Sequence, residues 1–433
     1  MNELAVELND ILKKSIAYSF LSERGQRMYF PKGIVAQAAE AGEKAGRYNA
    51  TIGLALDHGE PFCLEDIYSQ FVPGSLKKSQ IFSYAPGGGD KALRKAWKEA
   101  IIRKNPTLSG KLFSEPLVTA GLTHTISTAA SLFVDKDDEV VCPDLFWDNY
   151  ELIFEDSVGA KLKLFRFYDD RGGFNVEGMK SALLSTKGDN ARIILNFPNN
   201  PTGYTPSKAE TEAIVNALVE VADTGKKILV LTDDAYFGLF FEEETEKESL
   251  FAYLADAHEN IFAIKGDAAT KEEMVWGFRI GFISYASKGF TPEILDALTK
   301  KTLGAIRCSV SSCDRPGQSL LLKALTDGKS YDADKERLFS IIRKRYNTIH
   351  KVIEAHKDSA LLRPYSFNSG YFMAFDVTPH NAEELRVYLL DKYKIGAINI
   401  LGSTLRLAYC SVEDEMLEDL VNTVYKAAEE LWS

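Results

Sequence analysis

Short apolar segments alternate with longer amphipathic ones through the middle of the chain. Between residues 116 and 285 the apolar runs are PLVTA, EVVCP, KLKLFRF, RIILNF, KILVLTD, NIFAIKG and RIGFISY. Strands that alternate with helical patterns indicate βαβ units and a mainly parallel sheet. Ligands of such sheets bind at the carboxyl ends of the strands, so the loops after these runs are the first places to look for chemistry.

One helix has clear limits, and the C-terminal part of the chain has a different pattern. Thr205 and Pro206, or Ser207, open the helix, AETEAIVNALVEVAD carries its apolar stripe, and Gly225 closes it.

Beyond about residue 316, long helical segments surround two strand-like runs, YFMAFDV and LRLAY. We therefore expect an α/β fold in three parts. They are an N-terminal arm with part of a small domain (1–62), a large domain (63–316) and a smaller α+β domain (317–433).

Composition narrows the class of protein. The chain has 45% hydrophobic and 26% charged residues, which is typical of a soluble globular protein. A formal net charge of -11 argues against nucleic acid or an anionic membrane as the main partner. The five cysteines are scattered and lack CxxC spacing, which indicates a reducing compartment and no structural zinc or other metal. No secretory signal or membrane-spanning run is visible, so we expect a cytoplasmic protein.

Polar residues follow several of the predicted strands. Gly121 turns the chain from PLVTA into a predicted helix, whose N-terminus offers N–H groups to an anion, although any βα turn can contain a glycine. NFPNNPTGYTP, residues 196–206, presents two asparagines after RIILNF. Asp233 and Asp234 follow in KILVLTDD, where a turn cap is the simpler explanation. The segment GGGDK, residues 87–91, lacks the spacing of a P-loop and is rejected as a nucleotide motif.

A lysine in GDAATKEEMVWGFRIGF, residues 266–282, has two contrasting interpretations. Lys271 lies between small residues and two glutamates, and Arg279 follows eight positions later. Taken alone, the stretch favours a charged surface turn with Glu272 and Glu273 as its solvated edge, because most lysines are exposed. The alternative is a lysine held in a pocket for chemistry, and the rest of the chain decides between the two.

The ordered motifs resemble those of the class I/II aminotransferases of pyridoxal-phosphate fold type I. The match extends from about residue 84 to residue 409 and rests on three motifs: NNPTG, Asp233 three residues before Tyr236, and Lys271 followed by an arginine at plus eight and a glycine at plus ten. The resemblance implies a large domain with a mainly parallel seven-stranded sheet between helices, and a smaller α+β domain. It also implies pyridoxal 5'-phosphate as cofactor and an amino acid and a 2-oxo acid as substrates.

The resemblance assigns roles to the residues of these motifs. Lys271 would form the covalent link to the cofactor aldehyde, which requires a lowered lysine pKa. Arg279 would bind the cofactor phosphate through its two-pronged guanidinium, and Asp233 would pair with the protonated ring nitrogen. Asp234 competes for that role, but only Asp233 keeps the three-residue spacing to Tyr236, which would hydrogen-bond the phenolic oxygen of the ring.

Further positions would surround the same cofactor. By resemblance they are Asn200 at the phenolic oxygen, Gly121, Leu122 and Thr123 in the phosphate loop, and Trp147 stacked on the ring. A core tryptophan is the alternative for the last of these. Where the family commonly has a phosphate-binding serine, this chain has Ala268, and Thr270 or Thr123 would compensate.

The resemblance also implies a homodimer with shared active sites. Tyr84, in YAPGGGDKALR, would reach the cofactor phosphate of the neighbouring subunit. Arg406, in STLRLAY, would bind the substrate α-carboxylate, and Gly53 would line the same pocket. Arg307 takes the position of an arginine that binds a distal carboxylate from the other subunit, although a surface or interface arginine is the simpler explanation.

The expected reaction is amino transfer by a ping-pong mechanism, with Lys271 as general acid and base. Aspartate or glutamate is one expected donor, and an aromatic or large neutral amino acid is the alternative. A β-lyase on the same fold is a competing enzyme. Two hypotheses from different classes, a cofactor-binding transcription regulator and a non-catalytic binding protein, are disfavoured. A transcription regulator would need a DNA-binding region, and no helix-turn-helix pattern is visible in this sequence. A non-catalytic binding protein does not explain why all the site residues are intact.

Overall fold

The computed structural model describes residues 1–31 and 33–432. A seven-stranded sheet forms its centre. In chain order the strands are β1 Leu117–Thr119, β2 Glu139–Pro143, β3 Lys161–Phe165, β4 Asn190–Asn196, β5 Lys227–Asp233, β6 Ile261–Ala268 and β7 Gly281–Ala286. Their order across the sheet is β1-β7-β6-β5-β4-β2-β3. Only β7 runs antiparallel to its neighbours, so the predicted mainly parallel sheet is confirmed.

The central strands are apolar because helices cover both faces of the sheet. Their register aligns the carboxyl ends, with Asn196 of β4 opposite Asp233 of β5, and Asp233 opposite Gly266 of β6. Polar groups that are far apart in the sequence thereby meet at one edge. The helices of this part are Lys91–Lys104, Leu122–Phe133, Val176–Leu184, Lys208–Asp223, Leu250–Leu254, Ala269–Glu272 and Pro292–Ser309, with a π-helix at Glu151–Val158.

The helix with clear sequence limits is confirmed at Lys208–Asp223. The Ser207 side chain accepts from the Glu210 N–H, and the Glu210 carboxylate accepts from the Ser207 N–H, which completes a capping box. Gly225 follows the helix with a φ of 94°, a left-handed conformation that glycine adopts without strain.

A second, four-stranded antiparallel sheet is built from the C-terminal part of the chain. Its strands are β8 Arg363–Pro364, β9 Phe372–Asp376, β10 Ile398–Ile400 and β11 Thr404–Ala408, in the order β8-β9-β11-β10. The predicted strands YFMAFDV and LRLAY correspond to β9 and β11. The helices here are Arg315–Asp327, Tyr331–Ala355, Ala382–Tyr388 and Asp414–Trp432, with a π-helix at Leu389–Tyr393.

The N-terminal segment contributes short elements. Its helices are Glu3–Leu12, Glu23–Arg27, Ile34–Lys44, Glu65–Tyr68 and Lys78–Phe82. The two-residue strand Tyr48–Asn49 pairs in parallel with Ile395–Gly396, and Leu56–Asp57 pairs with Glu60–Pro61. The first pairing agrees with a contribution of residues 1–62 to the small domain, while the domain boundaries stay a prediction. In the part of the chain that the structure describes, no helix combines the length and apolar character that crossing a membrane requires.

Candidate active site

The lysine of the conspicuous sequence stretch lies in a cavity at the carboxyl ends of β5 and β6. Strand β6 ends at Ala268, and the one-turn helix Ala269–Glu272 follows, closed by a 2.9 Å hydrogen bond from the Glu273 N–H to the Ala269 carbonyl oxygen. Lys271 lines a cavity of about 250 Å³, with its Nζ atom 4.6 Å from the centroid of the Tyr236 ring. Burial lowers the pKa of Lys271 to about 8, and the nearby Arg279 adds to the lowering against the opposing charge of Asp233.

Most of the predicted site residues line this one cavity. They are Leu122, Thr123, Trp147, Asn200, Asp233, Tyr236, Thr270, Lys271 and Arg279, and Ala268 lines it with them. The parallel strands explain the convergence, because residues that follow β1, β4, β5 and β6 emerge at the same edge of the sheet.

Asp233, the last residue of β5, faces the cavity with a buried carboxylate. Its Oδ2 atom accepts a 2.5 Å hydrogen bond from the Tyr150 hydroxyl, and its Oδ1 atom accepts one from the Ala235 N–H at 3.1 Å. Burial raises the pKa of Asp233 to about 6, although the Tyr150 hydrogen bond works in the opposite direction. Asp234 lies outside the cavity lining, where it pairs with Lys265. The geometry therefore favours Asp233 over Asp234.

Tyr150 is a residue of the site that the sequence analysis missed. It is buried, and its ring packs edge-to-face on Trp147 with centroids 5.7 Å apart. The signal available in the sequence was its spacing, because a residue three positions after Trp147 lies on the same face of a helical turn.

An anion-binding arrangement forms where Gly121 meets Arg279. Gly121 has a φ of 83° and precedes the helix Leu122–Phe133, and a Cβ atom on it would lie 2.5 Å from Arg279 Nη2. Only glycine lets the guanidinium lie against this helix N-terminus. Within residues 1–31 and 33–432 Arg279 pairs with no carboxylate, and its Nη1 atom donates one long hydrogen bond of 3.4 Å to the Trp276 carbonyl oxygen. Free N–H groups and an unpaired guanidinium together suit a phosphate.

A buried arginine closes the side of the site next to the second sheet. Arg406 of β11 is 2% exposed and donates to Asn200 Oδ1 at 2.9 Å and to the Thr51 carbonyl oxygen at 2.8 Å. Its guanidinium lies 4.2 Å from the centroid of the Phe372 ring. Gly53 lies beside the Phe372 ring, since a Cβ atom on it would be only 2.9 Å from Phe372 Cζ and 3.3 Å from the Tyr236 hydroxyl.

Comparison with known proteins identifies the family. The model of the family "Aminotransferase class I and II" matches residues 55–424, most of the chain. The chain belongs to this family. The predicted family and enzyme class are thereby confirmed, and the protein is an aminotransferase.

The relatives of this aminotransferase are distant but cover its length. It is 26% identical over 390 residues to a protein of Aquifex aeolicus named as a probable aspartate/prephenate aminotransferase, covering 86% of this chain and 90% of that one. An aminotransferase structure from Anaerococcus prevotii matches with a TM-score of 0.83 at 24% identity, covering 96% and 100% of the two chains. The aspartate aminotransferase of Thermus thermophilus matches with a TM-score of 0.74 at 22% identity, covering 94% and 99%. The structural matches confirm the predicted fold.

Two predicted residues of this aminotransferase lie in a groove separate from the cavity and its surroundings. Tyr84 is 92% exposed, and Arg307 is exposed with a 2.5 Å hydrogen bond from its Nη1 atom to Ser311 Oγ. Both line a separate groove together with residues 87–89. One chain alone therefore does not bring them to Lys271, and their roles stay predictions that require a second subunit.

The prediction that Glu272 and Glu273 form a solvated edge is wrong. Glu272 is 7% exposed and Glu273 is 1% exposed. Lys104 Nζ lies 2.6 Å from Glu272 Oε1, and Lys335 Nζ lies 3.1 Å from Glu273 Oε1. Carboxylates can be buried when cations pair with them, and these cations come from segments far away in the sequence. The aminotransferase thus has a buried charge cluster directly behind its cavity lysine.

Proposed function

We propose that this aminotransferase holds pyridoxal 5'-phosphate in the cavity around Lys271. The observation that carries the proposal is that one cavity of about 250 Å³ contains both an amine beside a carboxylate and a site for an anion. At one end a lysine with a lowered pKa faces a buried carboxylate, Asp233. At the other end the unpaired Arg279 guanidinium lies against the open helix N-terminus after Gly121. An amine, a carboxylate for a ring nitrogen and an anion cradle are the groups that this cofactor requires.

Four residues of the cavity would have tasks in amino transfer. When bound, the cofactor supplies an electron sink for the negative charge that develops at the substrate Cα. Lys271, whose pKa of about 8 leaves part of the amine neutral near neutral pH, removes and returns the Cα proton. Asp233 is ionised above about pH 6 and would hold the proton on the ring nitrogen. Burial raises the pKa of Tyr236, so its hydroxyl stays protonated and, together with Asn200, would hydrogen-bond the phenolic oxygen of the cofactor.

The substrate is oriented by its α-carboxylate. Arg406 offers a guanidinium that the Asn200 side chain, the Thr51 carbonyl and the Phe372 ring already hold in place. A rigid guanidinium binds a carboxylate through two parallel hydrogen bonds, which fixes the substrate Cα in front of the cavity. Trp147 lines the cavity and would cover one face of the cofactor ring.

The decisive experiment is reductive trapping of the cofactor with borohydride, followed by peptide mapping. We expect the added mass on Lys271 in the wild-type protein and its loss in Lys271→Ala. Lys265 provides an internal control, since it is a buried lysine nearby that is paired with Asp234. Trapping that persists in Lys271→Ala would refute the proposed role.

We propose further that the active enzyme is a homodimer in which Tyr84 and Arg307 complete the partner's site. The support is their exposure in a common groove and the 82% exposed Phe82 two residues before the 92% exposed Tyr84, because large aromatic side chains exposed close together mark an interaction surface. Sedimentation at micromolar concentration should give twice the chain mass.

The five cysteines are all unpaired, which supports a cytoplasmic location.

Arg307 also supports a dicarboxylic donor such as aspartate or glutamate. Its guanidinium has no carboxylate partner among the described residues and is bound only to Ser311 Oγ in this region. Arg307→Ala should lower kcat/KM for aspartate far more than for phenylalanine. Arg103→Ala, which removes an exposed arginine elsewhere, is the matched control. Equal losses for both amino acids would favour the aromatic or large neutral donor instead.

A further inference from the structure

Two glutamates directly after the reactive lysine lie in a buried cluster of ion pairs that the proposed mechanism does not use. Glu272 Oε1 accepts a hydrogen bond from Lys104 Nζ at 2.6 Å. Glu273 Oε1 accepts from Lys335 Nζ at 3.1 Å and from the Tyr331 hydroxyl at 2.7 Å. Buried carboxylates are strongly destabilising when unpaired, so each of these contacts fixes the segment that carries the glutamates.

The charges of this cluster depend on one another. Burial opposes the ionisation of Glu272, but Lys104 and Lys335 outweigh it and lower the pKa of Glu272 to about 2. Burial also opposes the charge of Lys335, yet Glu273 and Glu272 outweigh it and raise the pKa of Lys335. The Oε2 atoms of both glutamates are buried without a hydrogen-bond partner in the described parts of the chain. Loss of Lys335 would therefore leave Glu273 without a cation.

The helix that supplies Lys335 also supports the substrate side of the site. In Tyr331–Ala355, Arg345 follows Lys335 by ten residues, or about 15 Å along the axis. Arg345 is buried and donates to the Cys410 carbonyl oxygen at 2.6 Å. Cys410 lies just after β11, the strand of Arg406. One helix thus contacts both the lysine turn and the turn Tyr409–Ser411 that follows the strand of Arg406.

The turn that carries Lys271 needs such support. Ala269–Glu272 has four residues, and a helix this short is not stable without outside contacts. Its N-cap, Ala268, has no capping side chain, and Met274 just beyond its end has a φ of 53°. The charged and titratable groups that act on the Lys271 amine are Asp233, Arg279 and Cys410, and the Tyr236 ring lies under it.

We propose that Lys335 is a positioning residue for Lys271. By pairing with Glu272 and Glu273, it ties the one-turn helix of the lysine to the long helix that also supports Arg406. This role rests on the proposed function of Lys271, because it keeps the reactive amine inside the cavity. When the ion pair is lost, the turn loosens, the amine reaches water and its proton affinity rises toward that of an ordinary lysine.

The test measures the pH dependence of the labelling of Lys271 by acetic anhydride in the cofactor-free protein, read by peptide mass spectrometry. The wild-type midpoint is expected at about 8. Lys335→Met should raise the midpoint of Lys271 labelling by about one pH unit. Lys335→Arg keeps the charge, so its midpoint should lie close to that of the wild type. Lys344→Met should leave it unchanged, because this exposed lysine of the same helix pairs with Asp414 away from the site.

A milder variant, Tyr331→Phe, and a second measurement, the melting temperature, distinguish a positioning role of Lys335 from a purely structural one. Tyr331→Phe removes the hydrogen bond from a neutral hydroxyl to the Glu273 carboxylate but keeps the Lys335 ion pair, so it should raise the midpoint by a smaller amount. This variant tests the proposal even when Lys335→Met does not fold. An unchanged midpoint in a folded Lys335→Met with a lowered melting temperature would show a purely structural role and overturn the proposal. Borohydride trapping separates the two proposals: wild-type protein that does not trap cofactor at Lys271 refutes the proposed function, whereas the labelling midpoint alone decides the role of Lys335.

Discussion

The hydrogen bond from Tyr150 to Asp233 should set the pH range in which the cofactor is held. Asp233 is buried, and its pKa of about 6 already lies two units above the ordinary value of 3.8. Tyr150→Phe removes a hydrogen bond to a charged group, which is worth about 1.5–3 kcal/mol. At about 1.4 kcal/mol for each pKa unit, the pKa of Asp233 should rise by about one to two further units.

The consequences can be measured with and without cofactor. Because the folded-state pKa of Asp233 is raised, its contribution favours folding below about pH 4 and is lost as the pH rises through about 6. Urea unfolding of cofactor-free Tyr150→Phe should therefore show a larger stability loss at pH 8.5 than at pH 5, by about 1–2 kcal/mol. The pH below which pyridoxal phosphate affinity weakens should move upward from about 6 by the same one to two units as the pKa.

A matched control is available in Tyr285, another buried tyrosine, whose hydroxyl lies 2.6 Å from Thr302 Oγ1 outside the cavity. Tyr285→Phe should lose similar stability at both pH values and leave the pH midpoint of cofactor binding in place. The reasoning fails if Tyr150→Phe and wild type share the same binding midpoint, or if the stability loss of Tyr150→Phe does not depend on pH.

Two further changes probe the anion cradle and the long helix. Gly121→Ala places a Cβ atom against the Arg279 guanidinium, so it should weaken pyridoxal phosphate binding at least tenfold in a binding titration. The control is Gly110→Ala, at a φ of 79° with open space around it. It should lower the free energy of unfolding by about 1–2 kcal/mol through backbone strain and leave the cofactor affinity unchanged. Comparable cofactor affinities in the two variants would contradict this. Arg345→Met leaves the buried Cys410 carbonyl oxygen without its donor and removes the cation beside the partly buried Glu413, so it should lower the free energy of unfolding by about 1–3 kcal/mol in urea titrations. Arg363→Met breaks a surface pair and should lower it by less than about 1 kcal/mol, so equal losses would refute the assignment.

The sequence predicted what local pattern and motif spacing encode. The seven strands of the large sheet follow from apolar runs with polar residues at their ends, and β5 begins and ends as the run KILVLTD does. The cavity residues were predicted through the motifs of the class I/II aminotransferases, and several of these motifs directly follow a strand. Asp233 and Tyr236, for example, are three residues apart, and the parallel register brings the motifs together.

Burial of charge was not predictable from the same patterns. Glu272 and Glu273 are part of a hydrophilic run, and the partners that make their burial possible, Lys104 and Lys335, are distant in the sequence. Pairing across such distances is a property of the tertiary fold, whereas periodicity reports only on neighbours along one element. Tyr150 escaped notice for a similar reason, since its hydroxyl has a partner only once the sheet aligns Asp233 with it.

The position of β1 has a consequence for the order of events during synthesis. Within residues 1–31 and 33–432 this edge strand pairs with β7 alone, and β7 begins at Gly281, whereas β1 ends at Thr119. At translation rates of roughly 5–20 residues per second, β1 and the helix N-terminus after it wait on the order of ten seconds or more for their partner strand to emerge. The end of the cavity proposed to bind the phosphate therefore assembles late on the ribosome. A cofactor present in the cell can stabilise the nascent chain only after β7 has been made, which is when the large sheet is complete.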